Sequence, residues 1–239
     1  MVLDDATPAP WRVSGDGPVR SPLVSAAAEL ASRLLEPTPE RLRHTRGVAG
    51  QAQFLSTALD SELGTTLVAA AWLHDIGYAR RLRETGFHPI DGARYLQRSG
   101  WPPEIYDLVA HHSGARFLAA AIGLEDALRR YPFLIGPLSD ALTVADQSTG
   151  PHGEHTTVER RLADQLRRHG PNSPYAQAYQ QRGPYVRSCA FRIAALFQQT
   201  AWSRLRASGS ARGAPGEEDL PRHRNADPVG SVALSPFGS

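Results

Sequence analysis

The sequence contains no lysine: all 26 basic side chains are arginine, and against 24 Asp and Glu they leave a net charge of only +2. A surplus that small gives no reason to expect a nucleic acid partner, which is met by clustered basic charge. Arginine offers planar, bidentate contacts to phosphate oxygens, so a small anionic ligand is well served wherever arginines line a pocket. Cysteine is almost absent too. Cys189 stands alone, which excludes an internal disulfide and fits a reducing cytoplasm. No apolar run is long enough to span a bilayer, so no membrane partner is expected. Met1–Gly17 carries acidic residues and prolines in place of the basic entry and apolar stretch of a signal peptide, so a cytoplasmic location is expected. There is no alternating strand pattern, no internal repeat and no glycine-rich nucleotide loop. A homo-oligomer stays open.

What is present is helical pattern. Residues 1–20 and 207–239 are rich in Pro, Gly and small polar residues, and are expected to be a flexible N-terminal segment and a disordered C-terminal tail. Between them, 21–206 reads as one all-α domain. Helices are expected over Ser21–Leu35, from Thr38-Pro39 along Val48, Ala52, Leu55 and Leu59, and from about Thr65 to Gly77. Further helices are expected over Pro89–Gly100, Pro102–Gly114, Ala115 to about Arg130, and Pro137–Asp146. Thr156-x-x-Glu159 reads as a capping box for a polar helix ending at Gly170, and the last helices fall between Pro174 and Leu205.

The chemistry centres on "AAAWLHDIGYA", where an apolar stretch, Ala69–Leu73, runs straight into His74 and Asp75. Burying a carboxylate costs several kcal/mol unless a cation or strong donors compensate, and an imidazole beside it completes a pair of metal-ligand types. A His-Asp pair alone fits a capped turn equally well. His44 tips the balance, because it lies four residues before Val48 on the same inward stripe. Asp146 does likewise, following Leu138 and Leu142 at steps of four. An inward His, a His-Asp pair and an inward Asp together favour a divalent metal over a hydrogen-bonded core.

The order His44, His74-Asp75, Asp146 on successive helices, with "HDIG" at 74–77, "HP" at 88–89 followed by "GA", and "HH" at 111–112, resembles the HD-domain superfamily of metal-dependent phosphohydrolases over about residues 40–150. The resemblance implies an HD-type helical bundle with one ion held by His44, His74, Asp75 and Asp146. The extra histidines resemble the dinuclear subgroup, in which Asp75 would bridge two ions and His88 and His111 would hold the second. His111 is the first choice there, since it matches the dinucleoside-polyphosphate hydrolase branch. His112 follows Leu108 and Val109 at inward spacing and is expected as a further ligand or a donor behind one. The ions would be divalent (Mn, Fe, Mg, Co and Zn are not distinguished), and the substrate a nucleotide or other small phosphorylated metabolite attacked by a metal-activated water.

In this reading Asp75, His112 and Tyr78 are the catalytic candidates, with His112 or Tyr78 orienting the water or protonating the leaving group. Arg46, Arg80 and Arg81, which flank the motifs, are the candidate phosphate clamps. Tyr78 stands where many HDIG proteins carry lysine. "SGARF" after the double histidine departs from the GYP signature of cyclic-di-GMP phosphodiesterases. His152 and His155 are expected in a solvated loop. Two rival readings use the same residues: a mixed-valent di-iron oxygenase, and a regulatory module whose metal site is vestigial.

Overall fold

The computed structural model describes residues 21–210. The flexible segment expected at 1–20 lies outside the described residues, as does the tail expected at 207–239 except for residues 207–210, which are helical where a disordered tail was expected. Contacts cluster into a first unit ending at Trp202 and a second beginning at Ser203, whose described residues are helical to Ser210.

Proline opens several helices, where its fixed φ suits the first turn and its missing N–H goes unused. They include α1 (Pro22–Leu35) and α2 (Pro39–Leu55). The Thr38 hydroxyl donates back to the Leu35 carbonyl at 3.1 Å and so does not cap α2. Next comes α3 (Ser61–Leu73), which starts four residues earlier than its apolar pattern suggests because the Asp60 carboxylate accepts from Leu63 N at 2.9 Å. It stops at Leu73, and the HDIG residues pass through a tight turn at Ile76–Tyr78. The chain continues with α4 (His88–Arg98) and α5 (Pro103–His111). The helix expected from Ala115 to Arg130 is broken into α6 (Ala115–Ala121) and α7 (Glu125–Leu128), with Gly123 at φ +73° between them. Helix α8 (Pro137–Gln147) follows the expected bounds, and α9 (Val158–His169) is capped by Thr157, whose hydroxyl accepts from Arg160 N at 3.2 Å, one residue after the expected cap. The final helix, α10 (Pro174–Ser210), is continuous through Pro184 where several helices were expected.

The fold is all-α. Among the described residues the only extended pairing is a single antiparallel bridge between Thr149 and His155. No described helix is long and apolar enough to cross a membrane. Helix α3 is the axle of the domain: Leu67, Ala69, Ala70, Ala71 and Leu73 have no exposed surface, and α1, α2, α5 and α8 pack around it. A stretch apolar on every side, as 67–73 is, is stable only when enclosed in this way. Its C-terminal end therefore delivers His74 and Asp75 into the protein interior.

One core carboxyl has no counterpart in this design. Asp107 on α5 is 5% exposed and its Oδ1 has no hydrogen-bond partner. Burial, helped by the charge of Glu104, pushes its pKa up to about 6. The folded pKa lies above the unfolded value of about 3.9, so this group's stabilising contribution is complete below pH ~4 and is lost as pH rises through about 6. Asp107→Asn is therefore expected to melt higher than the parent at pH 8. The advantage should shrink as the pH approaches 4, and melting curves across that range check it.

Candidate metal centre

Four imidazoles and two carboxylates meet where α2, the α3 end, the α4 start, the α5 end and α8 converge. Three of the rings are pinned in the same way, each donating its Nδ1 proton to a backbone carbonyl. His44 donates to Gly150 at 2.9 Å, His74 to Ala71 at 2.7 Å, and His112 to Val109 at 2.6 Å. A carbonyl can only accept, so in each neutral ring the lone pair is left on Nε2.

These Nε2 atoms point at one another and at carboxylate oxygens. His44 Nε2 lies 3.0 Å from Asp146 Oδ1. His74 Nε2 is 3.2 Å from Asp75 Oδ2, fully buried, and without a hydrogen-bond partner. His88 Nε2 is 3.2 Å from both Asp75 Oδ1 and His112 Nε2. Acceptors aimed at acceptors need protons or a cation between them.

The two oxygens of Asp75 face different groups. Oδ2 looks toward His74 and, at 3.8 Å, His44; Oδ1 looks toward His88 and, at 3.9 Å, His112. Burial alone would push the Asp75 carboxyl up, but the His74 and Arg41 charges hold it well below the usual carboxylate range. Asp146 is likewise held low, by hydrogen bonding and charge from His44 against its burial. Its Oδ2 accepts from the Ser113 hydroxyl and, at 2.8 Å, from Gln147 Nε2. Burial takes His112 the other way, down to about 3, helped by His74 and His88. A buried neutral imidazole beside a buried ionised carboxylate is the protonation state in which both are metal ligands.

Two close approaches fix the geometry. A Cβ on Gly77 would overlap the His88 carbonyl oxygen and lie 2.8 Å from Gly92 N, so only glycine lets the HDIG turn touch α4. A Cβ on Gly47 would lie 2.7 Å from Gly153 Cα, and that contact holds the 150–155 loop, with the Gly150 carbonyl, against α2 and His44.

Of the residues expected from sequence, His44, His74, Asp75, His88, His112 and Asp146 are brought together. His111 is not. Its Nε2 meets the Tyr131 carbonyl at 2.7 Å and its ring packs on Phe133, away from the cluster. The cause is local: α5 ends at His111, whose φ −110° and ψ 3° leave the helical region, and the two rings are held by different carbonyls, His111 by Tyr131 and His112 by Val109. Tyr78 is at the site, its ring stacked on His88 at 4.0 Å. Burial and the Asp75 charge raise its phenol, which stays protonated.

The three expected arginine clamps lie elsewhere. Arg46 is exposed and lines a separate groove with Val24 and Trp72, while Arg80 and Arg81 are exposed beyond the HDIG turn. The arginine that does reach the centre is Arg41, which donates to Asp75 Oδ2 at 2.7 Å and lies 4.1 Å over the Tyr78 ring. It precedes His44 by three residues, so the spacing that singled out His44 marks Arg41 one turn earlier on the same face. Ser113 and Gln147, which hold Asp146, adjoin residues the sequence reading had already singled out. Arg161, Gln165 and Arg182 also line the cleft above the cluster.

Two triads, His44–His74–Asp146 and His74–Asp75–His112, each bring one ligand atom per residue within 4.8 Å of the others. The set is borderline imidazole nitrogen and hard carboxylate oxygen, suited to divalent first-row ions, and the orphaned His74 Nε2 fits one. Residues 41–149 match the HD domain family. No curated protein and no solved structure matches the chain.

Gly77→Ala is expected to cost about 1–3 kcal/mol of stability by forcing the HDIG turn off α4. It should also weaken metal retention, because Asp75 and His88 would separate. Chemical denaturation and metal analysis of the purified variant check both.

Proposed function

Because residues 41–149 form an HD domain, which implies the superfamily of metal-dependent phosphohydrolases, we propose that this chain hydrolyses a phosphate ester or anhydride of a nucleotide or other small phosphorylated metabolite. The observation that carries the reading is Asp75, whose two oxygens face two different sets of imidazoles. In this reading His44, His74, Asp75 and Asp146 hold one divalent ion, and Asp75, His88 and His112 hold a second. His112 takes the place first given to His111. Such ions supply Lewis acidity toward water and toward a phosphoryl oxygen.

The chain's own side chains do the rest. Arg41, already against Asp75, presents a guanidinium to phosphoryl oxygens at the edge of the cluster. Tyr78 keeps its proton and can donate it as a hydrogen bond to a leaving oxygen, but it is unsuited to act as a base. Ser113 and Gln147 keep Asp146 oriented. The backbone carbonyls at 71, 109 and 150 keep the Nε2 lone pairs inward.

Protein loaded with Mn or Fe should release phosphate from at least one compound in a screen of nucleotides and sugar phosphates. No release from any of them would overturn the reading. Asp75→Ala should abolish that activity and deplete bound metal while the helical circular dichroism persists.

The ligand assignment has its own test. His112→Ala should lower metal stoichiometry by about one ion per chain, because Asp75 and His88 alone hold a metal poorly. His111→Ala should leave it unchanged. The opposite pattern would return the second site to His111.

A further inference from the structure

Helices α9 and α10 lie beyond the family match, yet they build one wall of the cleft that opens on Asp75 and Asp146. On that wall Arg161 is only 6% exposed, and its Nε and Nη1 have no hydrogen-bond partner. No ion pair satisfies it among the described residues. Its charge contributes, as one of several, to holding Asp146 ionised. The Asp146 oxygens, however, are already engaged by His44, Ser113 and Gln147. A buried guanidinium with idle donors is costly unless something anionic meets them.

The surroundings hold this wall rigid. Arg182 donates Nε to the Ser113 carbonyl at 2.8 Å and Nη1 to Gln165 Oε1 at 3.1 Å, so it ties α10 to the site turn. Gln165 Oε1 also accepts from the Tyr175 hydroxyl at 2.6 Å. Arg168 is committed to Asp164 at 2.8 Å. Among the described residues of this wall, Arg161 is thus the one guanidinium with unpartnered buried nitrogens, while Arg41 is committed to Asp75.

The cleft measures about 110 Å³. That is well below the roughly 300–1,000 Å³ of pockets that enclose a whole organic ligand. It can admit a compact charged head and leave the remainder of the molecule outside. We propose that Arg161 forms an anion subsite for a second phosphate, so that the substrate bears a diphosphate: one phosphoryl group at the His/Asp cluster and the next against Arg161. This rests on the phosphohydrolase reading for the role of the first phosphate.

The test is calorimetric binding of pyrophosphate and of orthophosphate to the full chain loaded with Mn, with metal content measured before and after. Wild type should bind pyrophosphate more tightly. Arg161→Gln should weaken pyrophosphate by on the order of ten- to a hundredfold, the size expected for charged hydrogen bonds. It should weaken orthophosphate far less. Arg161→Lys, which keeps the charge and the stem but loses the fork, should fall between and covers the case in which the glutamine variant does not fold. The exposed neighbour variant Arg160→Gln should match wild type.

Equal weakening of both anions, or of neither, would overturn the proposal. Arg161-dependent pyrophosphate binding in a chain that hydrolyses nothing would sink the hydrolase reading and leave the subsite standing. Hydrolysis with Arg161-independent binding would remove the subsite alone.

Discussion

Asp75 and Asp146 are carboxylates 2% and 6% exposed, ionised, and surrounded by four imidazoles, three of which commit their Nδ1 to backbone carbonyls. Taking such charges out of water costs several kcal/mol each, and the cost is tolerable only with a positive partner in place. Much of the surrounding architecture follows from that demand. The 67–73 half of α3 is apolar on all sides, which buries its end, and Gly77 lets the HDIG turn lie directly on α4, which brings His88 to Asp75. The Gly47–Gly153 contact presses a loop carbonyl onto His44. Arg41 supplies part of the compensating charge through its 2.7 Å contact with Asp75, alongside His74.

The all-α class and the heart of the cluster were legible in the sequence because they follow from regular spacing. His44 and Asp146 share helical stripes with apolar neighbours, and His74-Asp75 ends an apolar helix. The choice between His111 and His112 was harder to read. Helical spacing from Leu108 and Val109 pointed to His112, whereas the family resemblance pointed to His111. They diverge where α5 ends, at His111 with φ −110° and ψ 3°, and a helix end of this kind is not announced by side-chain patterning.

The arginines show the opposite failure. Arg46, Arg80 and Arg81 are near the motifs in sequence but are exposed and do not line the cleft, while Arg41 is three residues from His44 and on its face. Arg161 lies on a helix whose polar composition reads as solvated, and only the packing of α9 over the cleft makes it interior. Helix ends moved where a side chain intervened, as Asp60 does for α3 and Thr157 for α9.

The cleft thus has two parts of different origin. The floor, within the HD domain, gathers the His/Asp cluster with Arg41 and Tyr78. The wall from α9 and α10, outside that domain, adds fixed cationic and polar groups. A division of this kind would let the wall select the substrate while the floor performs the chemistry, in keeping with a common fold whose specificity resides in added elements.

The central claim is that the cluster is a metal centre divided by Asp75. Crystals of the full chain grown with Mn, measured for anomalous scattering, test it most directly. The account predicts two peaks: one among His44, His74, Asp75 and Asp146, and one among Asp75, His88 and His112. A single peak on the first set would confine the centre to one ion, and no peak at either position would contradict the account.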